Sequence, residues 1–359
     1  GCSSLCEINF PMSLEAILGR AFYGCSSLGA VRIPSGVRDI RGYAFGECTA
    51  LTEARLECEI QKLPSGLLYR CRALERLVLP STLSELRPND IKGLDSLKLD
   101  KHSEGYYLDS ADGERLALVK TEKSDFTEFK VASGCKIILD YAFRDRRSLV
   151  RLDLPFSLKF IGKGAFYGCV SLREVSLPQS LEVISEYAFF GCKELVLLDL
   201  PSGISRIPYK CFFRCESLSL IEIPSTVLWI GDMAFAYCKS LGTVALPEEL
   251  SHLGGGAFHA CSSLEEITIP DKISEVGIAL FIYCKALRKV KLPEGLLKIS
   301  RAGFKGCISL ASLDLGKKLN SIDGDAFSGC RNLSLCVCEN SYAKKFAISN
   351  NINYSIANC

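Results

Sequence analysis

Histidine is nearly absent from this chain: three residues in 359, beside one tryptophan and two methionines. His102 stands alone, and His252 and His259 flank Gly254-Gly255-Gly256. No H-E-x-x-H, no phosphate-binding loop and no Ser-His-Asp or Cys-His order occurs, so the usual hydrolytic, metal and nucleotide chemistries have no starting point. No catalytic residue, cofactor or metal is expected, and the histidines read as turn residues. Net charge is lacking too: 43 basic residues against 41 acidic leave +2. Such a balance offers no general field to nucleic acid or an anionic membrane. Apolar runs are short, none approaching the ~18 residues of a membrane span, so no transmembrane segment is expected. An initiator methionine is missing as well. The chain opens at Gly1-Cys2 partway through a repeat and reads as a trimmed piece, which makes the lack of a targeting segment uninformative.

Cysteine, by contrast, is abundant and regularly placed. Cys2, Cys25, Cys48 and Cys71 lie 23 residues apart, and the series resumes at Cys169 and runs to Cys330. A leucine follows each three residues later, as in Leu172, Leu195 and Leu218. One 23-residue unit cannot bury its own apolar face, so the period implies stacked coils. With cysteine as position 0, positions 3, 6 and 8 give L-x-x-L-x-L, the strand signature of leucine-rich repeats. Ten of the thirteen prolines fall at position 9, where a residue without an N–H ends the strand. Apolar positions 12 and 15 predict a second extended run. Ala-Phe at 19 and 20 predicts a short helical or 3-10 turn with an aromatic plug.

The fold class is therefore a repeat solenoid of about fifteen coils over 1–339, one short parallel strand per coil. At ~4.8 Å per coil it would be roughly 70 Å long. Position 0 is Leu94, Lys123 and then Arg146 through the middle, and the coil at 94–122 is six residues longer than the rest. Gly105–Leu108 and Arg115–Val119 around Asp112-Gly113 read as an inserted β-hairpin that projects from the solenoid or patches its side. At 340–359, Tyr342–Ala347 followed by Asn350-Asn351 reads as a capping helix.

Nineteen cysteines would usually suggest disulfides or zinc. Here sixteen fall in inward columns, including Cys336 and Cys338 at positions 6 and 8 of the last coil. Stacking holds equivalent Cβ atoms about 4.8 Å apart, beyond the usual ~3.5–4.5 Å of a bridge. A reduced ladder beside spare turn carbonyls is the expected reading. Cys6, Cys58 and Cys359 fall outside the columns and are open to reaction or bridging.

Positions 5 and 7 face outward. Their charged residues are Arg32, Arg55, Arg76, Lys130, Arg151, Asp153, Glu174, Asp199, Glu222, Glu266, Lys289 and Lys291. The row at position 7, with Lys101 and Val337 also in it, runs basic and then acidic across Asp153, Asp199 and Glu222. Solenoids present one broad face, and charge sets the orientation of what docks there, so these residues are candidate contacts for a protein ligand. Aromatics are few in these two columns, which disfavours carbohydrate stacking and single-strand nucleic acid. A monomer is expected.

Ser217-Leu218, Ile221, Ile223-Pro224, Val227, Ile230-Gly231, Ala234-Phe235 and Cys238 together resemble the BspA-like, or Treponema pallidum type, leucine-rich repeat, and the resemblance spans the chain. Glu57, Gly316 and Glu339 depart from it where proline is usual. The resemblance implies a secreted or surface-anchored, non-enzymatic protein acting in adhesion to host matrix, cells or other microbes. It carries no binding motif that could be placed on particular residues. The alternative is an intracellular scaffold or recognition module in a larger protein, which reduced cysteines would suit.

Overall fold

Residues two apart in an extended chain share one side, so apolar residues at positions 6 and 8 turn one way and the residue at 7 the other. Burial follows that rule: Ala30–Ile33 and Ser312–Leu315 both alternate exposed and buried. The computed structural model describes residues 1–91, 94, 96–122 and 125–357. Along them the chain winds as a parallel β-solenoid of about fifteen coils. Contacts divide it into two units, one of 1–124, 130–142 and 154–165, the other of 125–129, 143–153 and 166–359. No helix among the described residues is long and apolar enough to cross a membrane.

In the first unit, Ala30–Ile33, Glu53–Leu56 and Arg76–Val78 pair in parallel, each residue facing its equivalent 23 residues on, as Arg32 faces Arg55. A second parallel column begins with Ala16–Ile17 against Asp39–Ile40. The Asp112-Gly113 turn forms, with Gly113 at φ 84°, but the hairpin does not project. Its strand Arg115–Thr121 runs antiparallel to Gly105–Asp109 and parallel to Ile137–Ile138, taking the second-column place of an ordinary coil. Leu108, Leu116, Ala117 and Leu118 are buried beneath it. Tyr107 is buried as well; burial pushes its phenol up to about 12, and its oxygen accepts the Ala132 N–H at 3.2 Å.

Three expectations fail here for local reasons. Val78, assigned outward, is buried because the hairpin end closes over it: Leu79 N–H donates to Asp109 O and Ala111 N–H returns to Leu79 O. Lys101 lies on Asp100–His102, an antiparallel strand outside the repeat row. Cys58 is buried too. Glu57 stands in place of the usual proline and its N–H donates to Ile33 O at 2.9 Å, and Cys58 beyond it is buried on the side of Leu56.

In the second unit the first column includes Leu197–Asp199 with Leu220–Glu222 and Glu266–Thr268 with Lys289–Lys291. The second includes Arg206–Ile207, Trp229–Ile230 and His252–Leu253. Proline carbonyls at position 9 accept the N–H three residues on, as Pro224 does from Val227, closing a turn between the columns.

The Ala-Phe segment is not helical. Positions 18 and 22 are left-handed, as at Lys210 (φ 51°), Arg214 (φ 60°), Ala260 (φ 56°) and Ala279 (φ 56°). That geometry aims alternate N–H groups at the next coil: Lys210, Phe212 and Arg214 donate to Asp232, Ala234 and Ala236. The regular coils therefore carry a third backbone ladder, and a helical turn, as at Pro88–Ile91 in the Cys71 coil, spends those donors internally. Behind it the phenylalanines from Phe143 to Phe327 stack, ring centroids 5.1–5.9 Å apart.

The last coil slips by one. Ser312 faces Ser334, an offset of 22, which turns Leu335 and Val337 inward and leaves Cys336 half-buried. Val337 is thus no outward residue. Helix Tyr342–Ser349 follows, capped by Ser341, whose Oγ accepts the Lys344 N–H at 3.1 Å. Phe346 meets the final ring, Phe327, edge-on at 6.2 Å. A strand not anticipated, Asn353–Ala357, then pairs in parallel with Ser334–Cys338.

Candidate protein-binding face

Seven of the twelve charges assigned to the outward face are held in ion pairs. In the first unit Arg32 and Arg55 both reach Glu57, at 3.0 and 2.6 Å, and Arg76 reaches Glu53 at 3.6 Å. Arg32 and then Arg55 hold the Glu57 carboxyl below the usual carboxylate range. In the second unit Arg151 pairs with Glu174 at 3.0 Å and Lys289 with Glu266 at 3.6 Å. Arg76–Glu53, Arg151–Glu174 and Lys289–Glu266 are each separated by 23 residues, which puts them side by side on neighbouring strands, so these three pairs clip coil to coil. Exposed pairs of this kind contribute about 0–1 kcal/mol each.

Lys130, Asp153, Asp199, Glu222 and Lys291 have no ion-pair partner among the described residues. Asp199 and Glu222 are register partners on adjacent strands, two like charges side by side. Beside them Leu197 and Leu220 are also register partners, 54% and 49% exposed, with Val196 next in the chain at 43%. Two coils thus expose a leucine pair bordered by an uncompensated carboxylate pair. These leucines stand at position 5 without a charge to mark them as outward. In Leu195–Leu200 apolar residues fill both faces, which hides the alternation that would have marked Leu197 as outward.

Other assigned residues lie elsewhere. His252 stacks on Trp229 at 5.0 Å, and His259 lies between Tyr237 and Tyr283 in a row of rings along the turn edge. Half-burial lowers the His259 imidazole below its ordinary value. Gly254–Gly256 line an open notch of about 640 Å³ with Asp232, His252 and Lys272. Gly254 is obligatory there, since a Cβ would sit 2.4 Å from the Asp232 nitrogen. Among the described residues no cluster of three or more His, Cys, Asp or Glu could hold a metal.

Seventeen cysteines are free and Cys338 is disulfide-bonded; Cys359, like the position-0 residue Lys123, lies outside the described residues. Cys2 and Cys6 are exposed, while Cys25 and Cys48 through Cys307 are buried. Burial pushes the Cys135, Cys169 and Cys284 thiols up to about 12 and Cys58 to about 11. Thiolate, the reactive form, is correspondingly suppressed.

A family model for the BspA type leucine rich repeat region, in six copies, matches residues 1–98, 121–239 and 206–334. Among solved structures, a leucine-rich repeat protein from Bacteroides ovatus is 21% identical, with 96% of this chain and 88% of that one covered and a TM-score of 0.48. A leucine rich cell surface protein from Faecalibacterium prausnitzii is 19% identical over 74% of this chain and 96% of its own, TM-score 0.45. The T. pallidum leucine rich repeat protein is 23% identical over 73% and 100%, TM-score 0.42. No curated protein matches the chain. With its 23-residue coils, paired parallel columns and a family match over most of its length, the chain belongs to the BspA type leucine-rich repeat family.

Proposed function

We propose that this chain is a non-enzymatic binding module whose strand face engages a protein ligand in surface adhesion or host-cell interaction, outside the cell or at its surface. One observation carries the reading: Leu197 and Leu220 are held side by side and exposed, next to Asp199 and Glu222 with no cation paired to either. Exposed apolar side chains ringed by charge are what a desolvated contact uses, the apolar centre for affinity and the charges for orientation. The complementary partner carries an apolar patch flanked by lysine or arginine. The test is binding of the whole chain to a panel of matrix, mucin and cell-surface proteins, alongside a variant with Asp199→Lys and Glu222→Lys. Binding that is lost in the variant supports the reading; binding that survives both reversals moves the site off this face.

A second reading, an intracellular scaffold, is favoured by the free cysteines, since free thiols persist best in a reducing compartment. Binding to none of the extracellular panel, with capture of a defined intracellular partner by the same leucines, would select it.

A further inference from the structure

The turn edge of the second unit has a chemistry of its own at the coil 192–214. Arg206, Lys210 and Arg214 recur four residues apart, and none has a carboxylate within ion-pair distance among the described residues. Some other cations of the unit are clipped to a carboxylate one coil away, as Lys239 is to Glu216 at 2.6 Å and Lys298 to Glu275 at 3.3 Å. These three lie over aromatic rings instead. The Arg206 guanidinium is 4.5 Å from the Trp229 ring centre, and Lys210 is 5.0 Å from Tyr209 and 5.2 Å from Phe213. Arg214 is 5.8 Å from Phe213 and 5.6 Å from Tyr237.

The rings also stack on one another. Phe190 and Phe213 are 4.8 Å apart and nearly parallel, and Phe213 and Tyr237 are 5.3 Å apart. Phe190 thus lies parallel against Phe213, Tyr237 meets it at a steep angle, and Lys210 and Arg214 sit by these rings, so ring faces here are shared with neighbouring rings and cations. An aromatic face is the negative end of the ring quadrupole and holds a cation without neutralising its charge. Asp232, on the next coil of the ladder, is engaged by the Gly255 N–H at 2.7 Å.

We propose that this edge, centred on Arg206, Lys210, Phe213 and Arg214, is a second binding surface, for an acidic polypeptide segment. Covered ring faces offer a sugar no platform, whereas an arginine fork receives a carboxylate in two-point geometry. An extended acidic segment places same-side carboxylates about 6.6 Å apart, a repeat that flexible lysine and arginine tips can follow. This surface is independent of the strand-face leucines and does not stand or fall with them.

The test uses the whole chain and a fluorescent oligo-glutamate peptide, read by anisotropy at low salt, with heparin as a parallel probe. Arg206→Gln, Lys210→Gln and Arg214→Gln together should weaken peptide binding about tenfold or more, a loss of ~1.4 kcal/mol or more. A control with the same charge change, Lys193→Gln, Lys285→Gln and Lys317→Gln, should leave it within about twofold. Phe213→Leu, which keeps all three cations, should also weaken binding and guards against a misfolded triple variant. Equal losses in variant and control would overturn the proposal, as would no binding of the peptide by the native chain. Heparin binding without peptide binding would assign the strip to an anionic glycan and overturn it too.

Discussion

The Cys215 sulfur lies 3.2 Å from the carbonyl oxygen of Phe189, 26 residues back. That carbonyl, at position 20, already accepts the Cys192 N–H three residues on at 3.2 Å and is left out of the ladder that uses positions 17, 19 and 21. The relationship recurs at Cys238 with Phe212, Cys261 with Phe235 and Cys284 with Phe258. A thiol is small and apolar enough for the buried corner and still carries the one weak donor that a spare carbonyl can use. The column is thus a set of coil-to-coil staples made without any disulfide.

Cys215→Ala removes both the donor and the sulfur volume and should cost about 1–2 kcal/mol in urea unfolding. Thiol titration of the native chain should be fast at Cys2 and Cys6 and slow along the buried column. Rapid modification of the column without denaturant would contradict the burial described.

Phe235 stacks between Phe212 and Phe258 at 5.5 Å on each side. Phe235→Ala should cost ~3–5 kcal/mol and Phe235→Leu appreciably less, measured as urea midpoints. Equal costs would mean that the stacked ring itself, and not apolar volume, carries the stabilisation.

Ala260 and Ala279 hold left-handed backbone at φ 56°. An L-residue pays roughly 1–2 kcal/mol there, partly offset in glycine by its greater unfolded entropy. Ala260→Gly and Ala279→Gly should each stabilise by about 0.5–1 kcal/mol, whereas Gly256→Ala should destabilise. Thermal denaturation of the three variants checks the sign.

His259 titrates below the ordinary 6.5 because burial disfavours its charged form. Between the two values the unfolded chain binds more protons, so its stability contribution is full above pH 6.5 and falls as pH drops toward the folded value. The difference in unfolding free energy between the native chain and His259→Phe should therefore shift across that window and be flat above it. A difference independent of pH would contradict the burial of this imidazole.

Much of the fold is legible because the repeat writes each inward column many times: Leu218, Ile221, Ile223 and Phe235 announce their places in one coil and again in the next. What escapes is set by departures from the average coil. Cys58 turns inward beside a Glu57 whose N–H donates to Ile33 O where most coils carry proline. The hairpin strand at Arg115 gives no local sign that it will take a second-column place. Lys210 and Arg214 do not advertise left-handed backbone, which their coil imposes through the third ladder. The candidate face was half legible: Asp199 and Glu222 stood out by charge, while Leu197 and Leu220 were lost in an apolar run.

The central claim, that the Leu197–Leu220 strand face is where a protein ligand sits, is tested most directly by photo-crosslinking. A benzophenone amino acid would replace Leu220 in one sample and Leu297, an exposed residue beside the second-column strand Lys298–Ile299, in another. The account predicts a covalent adduct with a bound partner from position 220 and none from position 297. An adduct from 297 alone would contradict it.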